Sequence, residues 1–176
     1  MKLISRLILS IVLSLNLYIS TCYGIESRYV YISFGDGVQK YTINMESQEY
    51  GSVYRGRDIK SEAFFCNSFS RFICVISFDI SFSVPKDIGN SIAEWEFDYR
   101  LYELVAKNVT LDILGHSYSD LYVISGPKRK FLNYVDYPYT QRKYIYSKEY
   151  GLLGFIDNND GTVFWSVSEK GFGSQH

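Results

Sequence analysis

Residues 94–101, Glu-Trp-Glu-Phe-Asp-Tyr-Arg-Leu, alternate charge and apolar bulk without a slip. Successive side chains on a strand point to opposite faces, whereas a helix would scatter these rings around its circumference. The pattern predicts a strand with Trp95, Phe97, Tyr99 and Leu101 on a buried face. Glu94, Glu96, Asp98 and Arg100 then face solvent.

A period close to two recurs along the chain. Residues 28–34 and 38–43 flank Gly35-Asp36-Gly37, and two β-rich runs joined by Asp-Gly predict a hairpin. A second hairpin is predicted where residues 151–156 pass through Asp157-Asn158-Asn159-Asp160-Gly161 into 162–167. Residues 72–84 read as one long strand that Pro85 ends, with Phe78, Ile80, Phe82 and Val84 alternating against Asp79, Ser81 and Ser83. Residues 50–55, 109–114, 120–124 and 143–146 are also strand-like, while 57–62 is too polar to assign. Only 101–107 has a weak helical reading, and 169–176 is Gly-rich and expected to fray. The expected fold is all-β, with a β-dominated α+β arrangement as the alternative. It is a single domain over residues 25–176, an antiparallel sandwich or strongly curved sheet of about 8–10 strands.

Aromatic content points the same way. Beyond residue 24 the chain holds 15 Tyr, 12 Phe and 2 Trp, types that suit a half-buried pleated surface. Tyrosine serves both faces of a sheet, because its ring packs while its hydroxyl stays polar.

The first 24 residues have the order of a secretory signal peptide. Lys2 and Arg6 precede a short apolar run, and Ser20, Thr21 and Gly24 supply small residues at the exit. The apolar run is shorter than the ~20 residues of a membrane-spanning helix. Cleavage after Gly24 would release a secreted or periplasmic protein. Alternatively, Ile19-Ser20-Thr21-Cys22 resembles a bacterial lipobox, which implies a lipoprotein tethered through Cys22; Thr21 is larger than the residue a lipobox places there. Membrane association is expected only if Cys22 is lipidated or the signal stays uncleaved. An exported domain that keeps two cysteines predicts a Cys66–Cys74 disulfide, structural because the spacing is wider than a redox CxxC.

Catalytic and metal motifs are weak. Leu114-Gly115-His116-Ser117-Tyr118-Ser119 resembles the nucleophile elbow of α/β-hydrolases, with Ser117 in the nucleophile position. Ser119 replaces the second glycine, no helix pattern follows, and His176 is the sole later histidine, so Ser117 is read as a turn residue. The 157–161 run has its glycine one position early for a calcium loop and lacks the closing Glu. The acids of 94–98 are spaced by two, the outward face of a strand. Asn108-Val109-Thr110 is a glycosylation sequon, relevant in a eukaryotic host. No catalytic residue, metal site or cofactor is expected.

One constellation remains. All 19 acids and 16 of the 18 bases lie beyond residue 24, a net charge of −3. Within 126–148, however, Lys128, Arg129, Lys130, Arg142, Lys143 and Lys148 face Asp136 alone. Phe131, Tyr134, Tyr137, Tyr139, Tyr144 and Tyr146 are interleaved with them, and Tyr137-Pro138-Tyr139 reads as a loop tip. Bases attract an anion at long range, and tyrosines supply rigid contact area. Lys128, Arg129, Lys130, Tyr134, Tyr137, Tyr139, Arg142 and Lys143 are therefore the expected binding residues of a non-catalytic exported domain. An anionic glycan, a lipid or an acidic protein would suit them, and the mild overall charge speaks against nucleic acid. A small extracytoplasmic hydrolase and a structural envelope-associated protein are the alternatives.

Overall fold

The computed structural model describes residues 27–35, 37–129 and 141–175. Twelve strands run in chain order: β1 (Ser27–Gly35), β2 (Gly37–Met45), β3 (Tyr50–Arg55), β4 (Ile59–Phe65), β5 (Phe72–Ser77), β6 (Ser81–Pro85), β7 (Glu94–Phe97), β8 (Arg100–Ile113), β9 (His116–Arg129), β10 (Arg142–Ser147), β11 (Gly151–Asp157) and β12 (Val163–Ser166). They form one antiparallel sheet in the order β6-β5-β4-β3-β2-β1-β12-β11-β10-β9-β8-β7. Two six-stranded meanders are thus joined where the first strand pairs the last, Tyr31 opposite Ser166 and Ile32 opposite Trp165. The sheet is so curved that it nearly closes into a barrel. Its strands meet in sequence at two ends. The tip end holds the β1–β2, β3–β4, β5–β6, β7–β8 and β11–β12 turns; the tail end holds the β2–β3, β4–β5, β6–β7, β8–β9 and β10–β11 connections and residues 167–175.

The seam lies between the edge strands β6 and β7, which share no ladder. An edge strand leaves a row of backbone groups without partners, and buried groups of that kind must be satisfied. Here side chains do it. The carbonyls of Asp79, Ser81 and Ser83, every second residue, accept from the Arg142 guanidinium, the Tyr144 hydroxyl (2.6 Å) and the Trp95 indole N–H (3.2 Å). Tyr102 adds a hydroxyl contact to Ser81 Oγ at 2.9 Å, and its ring stacks on Trp95.

Tyrosines also fill the interior. Tyr31, Tyr102, Tyr144 and Tyr146 are fully buried among Phe65, Phe82, Phe155 and Phe164. Their hydroxyls reach distant backbone. The Tyr31 hydroxyl donates to the Leu152 carbonyl (3.0 Å) and accepts the Phe172 N–H (3.1 Å). Tyr146 donates to the Gly173 carbonyl (3.3 Å). Burial pushes the Tyr144 hydroxyl up to about 12 and raises Tyr31 and Tyr146 as well.

Several sequence expectations need correction. The strands number twelve because three stretches divide or extend. Residues 98 and 99 both have positive φ and form a two-residue turn, so the alternation of 94–101 resets between β7 and β8. Trp95 is buried and Phe97 is half-buried against the core, but Tyr99 is 80% exposed at the turn. Leu101 and Arg100 are both half-buried, so the two-face division does not extend past the turn. The 72–84 run breaks at 78–80, where Ser77 Oγ accepts the Ile80 N–H (2.9 Å) and the Ser77 N–H donates to the Ile80 carbonyl (2.7 Å). That turn puts Phe78 outward and buries Asp79. Residues 59–65 are β4 despite their polarity, and 101–107 is strand rather than helix.

The C-terminal stretch is not frayed over its described residues. Phe172 is buried against Tyr29, Phe65 and Phe82, and Leu152 pairs with it as an isolated bridge. The glycines before and after allow this close passage. A Cβ on Gly171 would stand 1.8 Å from the Leu152 carbonyl oxygen, and one on Gly173 2.3 Å from Ile73.

Cys66 and Cys74 form a disulfide with Cα atoms 5.1 Å apart, closing the β4–β5 connection. This bond is compatible with an oxidising compartment. No helix among the described residues is long and apolar enough to cross a membrane.

Two outcomes follow. Trp95→Ala removes a buried ring and a seam donor, and should cost about 3–5 kcal/mol in urea unfolding, against about 0.5 kcal/mol or less for Tyr99→Ala. Stability should also fall as pH rises from about 10 to about 12. Below that window tyrosines are protonated in both states; within it the unfolded chain releases protons that the buried hydroxyls retain. Tyrosinate absorbance of the buried rings should appear together with unfolding; a large early rise of Tyr144 in folded protein would contradict this.

Candidate binding surfaces

The bases of 126–148 do not share a face. Arg142 opens β10 opposite Gly126 and Lys143 follows opposite Ser125. Neighbours on a strand diverge, so Lys143 projects outward while Arg142 turns inward and is buried. Its guanidinium lies 5.4 Å from the Tyr41 ring centre and 5.3 Å from that of Phe155. It donates to the Asp79 carbonyl, to the Tyr41 hydroxyl (3.2 Å) and toward Asp157 (3.4 Å). The Asp79 carboxylate is buried as well, accepting the Ser61 hydroxyl (2.9 Å) and pairing with Arg55 (3.6 Å). Arg142 is therefore a seam residue rather than a surface contact. The reason is structural: a donor was needed where the β5–β6 turn buries the Asp79 carbonyl.

Tyr144 and Tyr146 follow Arg142 inward and belong to the core. Lys128 is half-buried and ion-pairs with Glu103. Arg129 is the last residue of β9, with its backbone opposite Arg100. Lys148 lies at the opposite, tail end, its ammonium 6.0 Å from the Tyr122 ring centre. Lys130, Tyr134, Tyr137 and Tyr139 fall outside the described residues, as do the 1–24 leader, Cys22, Phe131, Asp136, Pro138 and His176. What the structure brings together at the tip end is thus Lys128 and Lys143, with the ends of β9 and β10 between them.

The tip end has a second property that periodicity concealed. β1 and β2 pair along their whole length, but β12 joins β1 only at Tyr31 and Ile32, and β3 covers β2 only from Tyr41 onward. Residues 34–35 and 37–39 therefore reach past both flanking strands as a two-stranded ribbon. Its end presents Phe34 (64% exposed) and Val38 (78%), directly opposite one another. Tyr99 and Phe78 are exposed on other turns of the same end.

At the tail end, β8 and β9 continue for 14 residues each, far beyond the part of β9 that β10 covers. Register shifts and positive φ at Asn108 and Asp120 bend this hairpin. Ile113 and Leu121 then pack on Ile145 and Leu153, on the outer face of the sheet. Between the bent strand and the β10–β11 turn lies a groove of about 290 Å³, lined by residues 117–120, Tyr122 and 147–150. Ser117 is part of it, but not at a turn. The two-residue turn is Leu114-Gly115, and Ser117 sits within β9 opposite Asp112. An extended strand lacks the strand-to-helix bend of a nucleophile elbow. Asn108 is exposed at the bend. Among the described residues, no three His, Cys, Asp or Glu side chains gather to hold a metal.

Adjacent substitutions should separate the roles. Arg142→Gln leaves buried acceptors unsatisfied and should cost about 2–4 kcal/mol. Lys143→Gln should stay within about 0.5 kcal/mol. Urea unfolding of both proteins measures the contrast; equal stabilities would refute the seam role.

No protein-family model matches the chain, and neither a curated protein nor a solved structure matches it.

Proposed function

We propose that this chain is an exported, non-catalytic β-domain that binds an anionic partner at the tip end of its barrel. The observation that carries this reading is the β1–β2 ribbon, with Phe34 and Val38 exposed at its end, on the same end as Lys128 and Lys143. Exposed apolar side chains on the same end as bases form contact surface rather than core. The bases draw an anion in from a distance, and the apolar tips prolong contact once it arrives. Arg129 and Lys130, from the run Lys128-Arg129-Lys130, add to the basic count of the segment. Charge at the other end is less suited, because the acid excess collects there: Glu46 and Glu49 in one turn, Asp87 and Glu94 beside the seam, Glu149 and Glu169 near the tail. The Cys66–Cys74 bond and the secretory order of residues 1–24 support the exported setting.

Retention on immobilised heparin and on vesicles with acidic headgroups tests this reading. Replacing Lys128, Arg129, Lys130 and Lys143 with Gln together should weaken retention by about tenfold or more, roughly 1.4 kcal/mol, with unchanged unfolding. Added salt should mimic the substitutions. Phe34→Ser with Val38→Ser should speed release and leave the salt dependence intact. Failure of the intact protein to bind either matrix, or binding indifferent to the Gln substitutions, would sink the proposal.

A further inference from the structure

We propose that the tail-end groove between β9 and the β10–β11 turn is a second binding site, one that takes a neutral saccharide ring. Its volume, about 290 Å³, is at the small limit of cofactor and metabolite sites, which start at roughly 300 Å³. One ring or a chain end fits that space better than an extended polymer.

The lining has the chemistry such a ring needs. A sugar offers hydroxyls that both donate and accept, above a ring face of polarised C–H bonds. Ser117, Ser119 and Ser147 supply hydroxyls that do both, and Asp120 and Glu149 supply acceptors. Tyr118 and Tyr150 are half-buried and line the groove as an edge-to-face pair, ring centres 5.2 Å apart. The negative face of an aromatic ring attracts polarised C–H groups. Two carboxylates against the Lys148 ammonium leave a local acid excess, which selects against a sulfated or carboxylated sugar. The site is therefore chemically distinct from the tip end, and it stands or falls independently of the anion-binding reading.

The walls are also fixed in advance. Ser147 Oγ accepts the Tyr150 N–H at 3.3 Å. Behind the turn, the C-terminal segment donates twice, from Gln175 N–H to the Lys148 carbonyl (2.7 Å) and from Gly171 N–H to that of Tyr150 (2.7 Å), and its Phe172 carbonyl accepts the Leu152 N–H (2.8 Å). Gly89 leaves room for Tyr122, since a Cβ there would stand 2.9 Å from the Tyr122 hydroxyl. A groove held this way needs little ordering when a ligand enters, which favours the small contact area of one sugar.

The test titrates the intact protein with glucose, galactose, mannose, N-acetylglucosamine and glucuronate, followed by tyrosine fluorescence and by NMR shifts. At least one neutral sugar should saturate, with a Kd of about 10 mM or tighter, and glucuronate should bind at least tenfold more weakly. Tyr118 packs on the outer cluster, so Tyr118→Ala could unfold locally. Asp120→Asn and Ser119→Ala are exposed and keep the shape; each should weaken the neutral sugar about threefold or more, with heparin retention unchanged. The proposal is overturned if no neutral sugar saturates, if glucuronate binds as well, or if Asp120→Asn and Ser119→Ala leave affinity untouched. Loss of heparin retention with sugar binding intact would remove the tip-end reading alone.

Discussion

The carbonyls of β6 and of the turn before it, left without ladder partners, govern this structure. A sheet of twelve strands has two edges, and curling it brings one of them into the interior, where water can no longer satisfy its backbone. The answer is a row of side-chain donors on the facing strands: Arg142, Tyr144 and Trp95, set to meet Asp79, Ser81 and Ser83 in turn. Each donor carries enough apolar surface to double as core. That dual demand explains why tyrosine is so heavily used here, since phenylalanine would fill the same space and leave the carbonyl bare. It also explains why one arginine is buried under Tyr41 and Phe155. Removing it exposes no surface; it orphans acceptors.

The sequence made the class of fold legible because alternation is local. Residues 28–43 and 151–167 combine period-two patterning with Asp-Gly or Asn-Asp-Gly turns, and both hairpins are there. Turns without that chemistry were less legible. Asp98-Tyr99 was read through as strand, and the turn expected over 114–119 is confined to Leu114-Gly115; both lack the usual Asn-Gly or Asp-Gly pair, yet both bend through positive φ. Polar β4 escaped because Ser61 and Glu62 have partners that only tertiary structure supplies. Phe172 was invisible for a related reason: a single phenylalanine among glycines has no period at all.

The candidate surfaces were legible only in part. Adjacency in sequence grouped Arg142 with Lys143, and a strand then sent them to opposite faces. Grouping by composition cannot see that division; a period-two reading of 142–147, with Arg142, Tyr144 and Tyr146 on one side, could have. The groove depends on contacts between residues about thirty positions apart, and the ribbon at 34–35 and 37–39 depends on how far neighbouring strands extend. Neither property is written locally.

Strand order has a temporal meaning as well. The middle of the sheet is the β1–β12 pair, so the first described strand waits for the last. A chain emerging from a ribosome or an export channel can form its two meanders early, because their pairings are between neighbours. It cannot join them until residue 166 is free, and Tyr31 finds its partners only when Leu152 and Phe172 arrive. Until then β1 is an exposed edge on one half-sheet, a template for wrong pairing. The topology holds the native sheet back until the whole strand set is free to pair.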